Sequence, residues 1–465
     1  MKYVSTRGEA PSLGFCDALL AGLARDGGLY VPESWPTLTK REIRALRGKS
    51  YQEIAFAILT PFVDGEIADD KFRAMIDEAY GTFRHPAVTP LVQTGPNSFV
   101  LELFHGTTLA FKDVAMQLLA RLMDHVLAER GERATIVGAT SGDTGGAAID
   151  AFAGRERTDI FILFPEGKVS PVQQRQMTTS TASNVHALAI KGNFDDCQGL
   201  VKEMFNDAAF RDGVALSGVN SINWGRIMAQ VVYYFTTAIA LGGPDRKISF
   251  TVPTGNFGDI FAGYVAKKMG LPIDKLVVAT NDNDILARTL KTGRYEMRAV
   301  KATTSPSMDI QISSNFERLL FEAYDRDASK VRAAMAGLKQ SGAFEIEEQA
   351  LKAIKREFRA GRATEKEVAR TIKNVLAETG YLLDPHSAIG IFVAAKHEKP
   401  GSPMVTLATA HPAKFPAAVK SASGIDPALP TWLADLMVRE ERFDILEAEL
   451  KIVETFINDH ARIRQ

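Results

Sequence analysis

The chain has 465 residues, which at roughly 100–200 residues per domain allows two to four domains. Lys plus Arg number 55 and Asp plus Glu 56, so the formal charge of −1 excludes a large basic field and argues against a nucleic-acid binder. Apolar residues at 46% and charged residues at 24% exclude a disordered chain, and Cys16 and Cys197, the only cysteines, exclude a disulfide framework or a zinc cluster and point to a reducing, cytoplasmic setting.

No apolar h-region follows Met1–Gly8, so no signal peptide is read. Leu19, Leu20 and Leu23 share one face of an early helix, which Gly27-Gly28 stops before a short strand at Leu29–Val31. Pro86 and Pro90 mark a boundary, and from there β and α patterns alternate. Apolar strands are expected at 98–104, 134–138, 159–164, 248–252, 276–279 and 404–408. Helices are expected at 113–129, where Val114, Leu118, Leu122 and Val126 recur every four residues, and at 145–152 and 260–269. Ile227–Pro244 is the longest uncharged stretch, yet it carries Gln230, Thr236 and Thr237 and falls short of the about 20 apolar residues of a membrane span, so it reads as a buried helix. Residues 345–380 read as charged helices, the second opened by the capping pair Thr364 and Glu367 and closed by Gly380. Strand–turn–helix units in series predict an α/β fold of open, mostly parallel sheets with helices on both faces. In such sheets ligands sit at the carboxyl ends of the strands.

Three strand–helix turns have the composition for chemistry. Pro253-Thr-Gly-Asn-Phe-Gly-Asp259 lets backbone amides converge without Cβ obstruction at a helix start, which suits a phosphate. It lacks a P-loop ending, and no Gly-x-Gly-x-x-Gly follows any strand, so a small phosphorylated ligand is favoured over a nucleotide. Ala139-Thr-Ser-Gly-Asp-Thr-Gly-Gly146 suits a carboxylate or phosphate, or serves simply to cap its helix. In His105-Gly-Thr-Thr-Leu-Ala-Phe-Lys-Asp113, Lys112 stands at a helix start among apolar neighbours, which disfavours its charged form as Schiff-base chemistry requires, although a solvated lysine fits the same pattern. Arg226 and Arg318 each lie in polar clusters ahead of helices and could hold an anion, while His386 and His411 read as core histidines.

Taken together these segments resemble the threonine synthases, pyridoxal-phosphate enzymes of the tryptophan-synthase-β-like fold. The likeness runs in order through Tyr3–Gly8, Asp26–Pro32, Leu109–Asp113, Thr140–Gly145, Phe164–Gly167, Ser170–Gln173, Ser221–Trp224, Pro253–Gly258 and Thr409–Phe415. The resemblance implies pyridoxal 5′-phosphate held covalently on Lys112, with its phosphate on Gly255, Asn256, Phe257 and Gly258 and its pyridine nitrogen facing Thr409. It implies that Ser141, Gly142, Asp143 and Thr144 receive the substrate's α-carboxylate, with Asn223, Arg226 and Arg318 toward its phosphate. A neutral hydroxyl at Thr409 leaves the ring nitrogen largely unprotonated. Thr107 stands where the family pattern has proline, a change expected to loosen the turn before Lys112. Asp143 stands where related folds have asparagine.

The implied reaction converts O-phospho-L-homoserine and water to L-threonine and phosphate, with Lys112 abstracting the α- and β-protons. A dehydratase or cysteine synthase of the same fold would share Lys112 and the glycine turn without a leaving-phosphate site; a non-catalytic ligand-binding homologue would have lost the lysine. The domains implied are an N-terminal segment at 1–85, a larger cofactor domain at 86–115 plus 240–420, a smaller domain at 116–239 and a C-terminal helical segment at 421–465. Neither a nucleic acid nor a membrane is expected as a partner.

Overall fold

The computed structural model describes residues 1–464, and Gln465 lies outside the described residues. Two parallel sheets organise the chain. The larger has six strands in the order Phe358–Arg362, Ile273–Thr280, Ile248–Pro253, Met404–Ala408, Ser98–Glu102 and Leu91–Gln93, all parallel but for the last pair. The smaller has five parallel strands in the order Asp444–Glu447, Val185–Lys191, Thr158–Pro165, Ala134–Ala139 and Leu216–Ser217. Every residue of Thr158–Pro165, Ile248–Pro253 and Met404–Ala408 is buried, as expected of parallel strands covered on both faces by helices.

The helix Lys112–Arg130 starts after the larger sheet's strand Ser98–Glu102 and stops at Gly131, whose φ of 66° no β-carbon opposes. The uncharged stretch forms the buried helix Trp224–Ala240, which packs along Gly258–Lys268. Among the described residues no helix is long and apolar enough to cross a membrane. Cys16 and Cys197 are both buried free thiols.

Three sequence expectations are corrected. The first helix ends at Ala21, so Leu23 lies beyond it and is exposed. The charged stretch 345–380 is interrupted by Phe358–Arg362, an edge strand with one buried apolar side chain, too little for a pattern to register. The segment 421–465 is not simply helical. Its strand Asp444–Glu447 extends the smaller sheet, and Val453 and Ile457 of the helix that follows enter that sheet's core.

Candidate active site

The turn 105–111 delivers Lys112 to the first position of its helix. Leu109 takes a left-handed φ of 61°, and the Phe111 amide donates to the carbonyl of Thr409 at 2.9 Å, joining this turn to the chain leaving Met404–Ala408. The buried Asp113 carboxylate accepts from the Thr108 amide at 2.8 Å and its hydroxyl at 2.5 Å. Burial and the nearby Asp150 raise the Asp113 carboxyl to about 7. Thr107 corrects the expected loosening: its hydroxyl donates to Asp150 and accepts from Gln117 at 3.3 Å, which ties the turn to the helix Asp143–Phe152.

Lys112 is only 8% exposed, and its Nζ lies 3.5 Å from Oδ2 of Asp143. Burial pulls the ammonium below its ordinary pKa, and the Asp143 carboxylate opposes that shift. The Asp143 Oδ1 forms an ion pair with Lys414 Nζ at 3.0 Å and accepts a hydrogen bond from Gln173 Nε2 at 2.8 Å. One carboxylate therefore stands between two lysines, and they hold it ionised far below the usual carboxylate range despite its burial. Asp143 thus turns its side chain to the lysines. The anion-binding capacity of this turn lies in its backbone: among the described residues the amides of Ser141, Asp143 and Thr144 have no acceptor, whereas that of Gly142 donates to Thr140 Oγ1 at 3.0 Å. Gly142 has a φ of 139°, and a Cβ there would fall 2.4 Å from the Gln173 side chain.

The turn 253–259 forms a second cradle. Phe257 adopts a left-handed φ of 64°, and the helix Gly258–Lys268 begins directly after it. The amides of Gly255, Asn256, Phe257 and Gly258 have no acceptor among the described residues, so four donors converge at the positive end of a helix. A Cβ on Gly255 would lie 2.8 Å from the Ser307 carbonyl oxygen, and the Ser307 hydroxyl lies 3.4 Å from Asp143 Oδ2. Ser307 therefore links the two glycine turns, and it shares Asp143 Oδ2 with Lys112. In the first turn of the same helix, Asp259 takes hydrogen bonds from the hydroxyls of Tyr233 and Tyr234, and burial raises its carboxyl to about 7. That limits negative charge behind an anion cradle. Thr409 is buried, and its hydroxyl has no protein partner among the described residues.

The three side chains weighed for the substrate phosphate separate sharply. Arg318, 0% exposed, donates to the carbonyl of Tyr30 at 2.9 and 3.1 Å, to that of Ile222 at 2.6 Å and to the Asn315 side chain. Asn223 caps its helix at Gly225 and donates to the Leu19 carbonyl at 2.8 Å. Both are engaged by the framework, which corrects their assignment to an anion. Arg226 makes one weak bond, to Val219 O at 3.3 Å, and its buried Nε has no partner. It also lies near enough to depress Lys112 further. His386 and His411 are structural as expected: the first pairs through Nδ1 with Asp384 at 2.6 Å, and the second accepts from the Ala413 amide. Lys414, Gln173, Ser307 and Asp259 went unassigned in the sequence. Lys414 and Gln173 lie in segments that carry the family resemblance, so a signal existed, but nothing in the sequence indicated that they meet at Asp143.

Comparison with known proteins agrees with this geometry. Family models described as "Threonine synthase N terminus", "Pyridoxal-phosphate dependent enzyme" and "Threonine synthase, C-terminal" match residues 2–80, 83–336 and 387–457. A threonine synthase of Pseudomonas aeruginosa is 54% identical, over 99% of this chain and 98% of that one. The crystal structure of a threonine synthase from Brucella melitensis with bound PLP is 72% identical with a TM-score of 0.98, covering 99% of this chain and 100% of that chain. The yeast threonine synthase structure is 40% identical with a TM-score of 0.94, over 99% and 98%. A tomato threonine deaminase, 15% identical with a TM-score of 0.52 over 77% and 95%, shares the fold alone. With two glycine cradles flanking a buried lysine and relatives aligned along nearly its whole length, the chain belongs to the threonine synthase family of pyridoxal-phosphate enzymes.

Proposed function

We propose that the chain converts O-phospho-L-homoserine and water to L-threonine and phosphate, with Lys112 as the cofactor-bearing and proton-carrying residue, in the cytoplasm. The observation that carries the reading is the buried Lys112 amine, its ammonium form disfavoured by burial, set beside Asp143 in one turn of unpaired amides that Ser307 joins to the other at 255–258. The two free thiols support a reducing compartment.

The residues fit pyridoxal phosphate. The 255–258 cradle is closed to any larger residue at Gly255, its amides lack acceptors, and the amine it faces is desolvated. When bound, the cofactor supplies an electrophilic carbon and a conjugated ring that accepts electron density from Cα. The amides of Gly255 to Gly258 would receive its phosphate, and the Thr409 hydroxyl would offer a neutral partner to the ring nitrogen. The amides of Ser141, Asp143 and Thr144 take the substrate carboxylate, which aims Cα at Lys112. The Lys112 amine, beside Cα and Cβ, would take a proton from each in turn, passing on the first before it takes the second; the two protons end on Cγ and Cα, water supplies the Cβ hydroxyl, and water's other proton leaves with the phosphate. Arg226, the weakly engaged one of the two guanidiniums, balances the charge that gathers on the leaving phosphate.

Two variants separate these roles. Gly255→Ala places a methyl group against the Ser307 backbone, so cofactor affinity is expected to fall by at least about tenfold, equivalent to about 1.4 kcal/mol. Titration of pyridoxal phosphate into cofactor-free protein measures it. Arg226→Met is expected to lower kcat/KM for phosphohomoserine by about 100-fold or more while leaving cofactor affinity unchanged. Phosphate release from phosphohomoserine, set against ketoacid formation from threonine, tests the reaction itself: ketoacid formation without phosphate release would identify a dehydratase instead.

A further inference from the structure

Lys414 is the second lysine of the site, and nothing in the proposed reaction uses it. Its side chain is 0% exposed and makes two contacts, a hydrogen bond donated to the Thr108 carbonyl at 2.6 Å and an ion pair with Asp143 Oδ1 at 3.0 Å. The two carboxylate oxygens are held very differently. Oδ1 is bound closely by Lys414 and Gln173, whereas Oδ2 has only Lys112 at 3.5 Å and Ser307 at 3.4 Å. One oxygen is anchored and the other is presented to the lysine that must gain and lose a proton.

We propose that Lys414 is a positioning residue: by neutralising and anchoring Asp143 through Oδ1, it keeps Oδ2 a fixed carboxylate acceptor facing Lys112, so that Lys112 sheds its proton without Asp143 taking it. This rests on Lys112 being the cofactor lysine. With Lys112 as its sole cation, Asp143 would form a balanced buried pair, the arrangement that most favours a charged amine. A second cation on the same carboxylate leaves the trio at a net charge of +1 and works against the ammonium form of Lys112. The other titratable groups around the pair are Arg226 from the helix Trp224–Ala240, which also disfavours the ammonium, Asp259 from Gly258–Lys268, and His386 from Pro385–Ala394 beside Asp143.

The test is the pH dependence of Lys112 acylation in the full-length protein stripped of cofactor, read by mass spectrometry of the 112-bearing peptide. A charge within about 4–6 Å shifts a pKa by roughly 1–3 units. Lys414→Met is therefore expected to move the labelling midpoint upward by on the order of one unit, a tenfold loss of reactive amine at fixed pH. Lys414→Arg should restore it. Asp143→Asn should move the midpoint the opposite way, which keeps the proposal testable if Lys414→Met folds poorly in a thermal melt. The acid limb of kcat/KM in the holoenzyme should follow the same order. A midpoint unmoved in both variants would overturn the proposal. Normal shifts at Lys112 with the cofactor attached to another lysine would instead overturn the reading on which it rests.

Discussion

Lys112→Ala is expected to leave the fold intact and to reduce threonine formation by at least about 1000-fold, since general acid–base catalysis by a positioned group contributes on the order of 10²–10⁴ and the same change removes the covalent anchor of the cofactor. The fold should survive because the removed amine makes one long hydrogen bond, 3.5 Å to Asp143, and a contact over the Phe111 ring at 4.6 Å, while Asp143 keeps Lys414 at 3.0 Å and Gln173 at 2.8 Å. Cofactor binding should weaken without vanishing, because the phosphate cradle at 255–258 is untouched. The purified variant should accordingly lose the visible absorbance of the linked cofactor but retain a cooperative melt. Activity within tenfold of the parent would remove Lys112 from the mechanism.

Arg318→Leu is expected to act on stability and not on substrate binding. Its guanidinium serves the carbonyls of Tyr30 and Ile222 and the Asn315 side chain, and its Cζ lies 5.8 Å from the centre of the Trp224 ring. Each buried acceptor left without a donor costs about 1–3 kcal/mol, so the loss of the donor to three of them should total roughly 3–9 kcal/mol. Denaturant or thermal melts measure it. Arg318→Lys should recover little, because an ammonium cannot span acceptors that the planar fork reaches together. In the fraction that remains folded, KM for phosphohomoserine should stay near that of the parent, in contrast to Arg226→Met. A large rise in KM with an unchanged melt would return Arg318 to the substrate site.

The contrast between these two arginines shows where sequence reasoning reaches its limit. Both stand in the first turn of buried helices, in polar clusters, and nothing local separates them. What separates them is the Tyr30 carbonyl, 288 positions away from Arg318, and the absence of any comparable acceptor for the Nε of Arg226. The parallel strands were legible because burial on both faces writes a continuous apolar run, as at Thr158–Pro165 and Ile248–Pro253. Phe358–Arg362 and Asp444–Glu447 were not, because each lies at a sheet edge with too few buried side chains to write one. The glycine turns were legible in composition, and their convergence on Lys112 followed from the strand ends that carry them. Thr107 illustrates the opposite error: the loss of proline was visible, but the compensating hydrogen bond to Asp150 was not.

The central claim is that Lys112 and no other amine carries the cofactor. Lys414 is the alternative that gives the claim content, being still more deeply buried and paired with the same carboxylate. Borohydride reduction of the holoenzyme followed by peptide mapping decides between them. The account predicts the pyridoxyl group on Lys112 alone, and its appearance on Lys414 or any other lysine would contradict it.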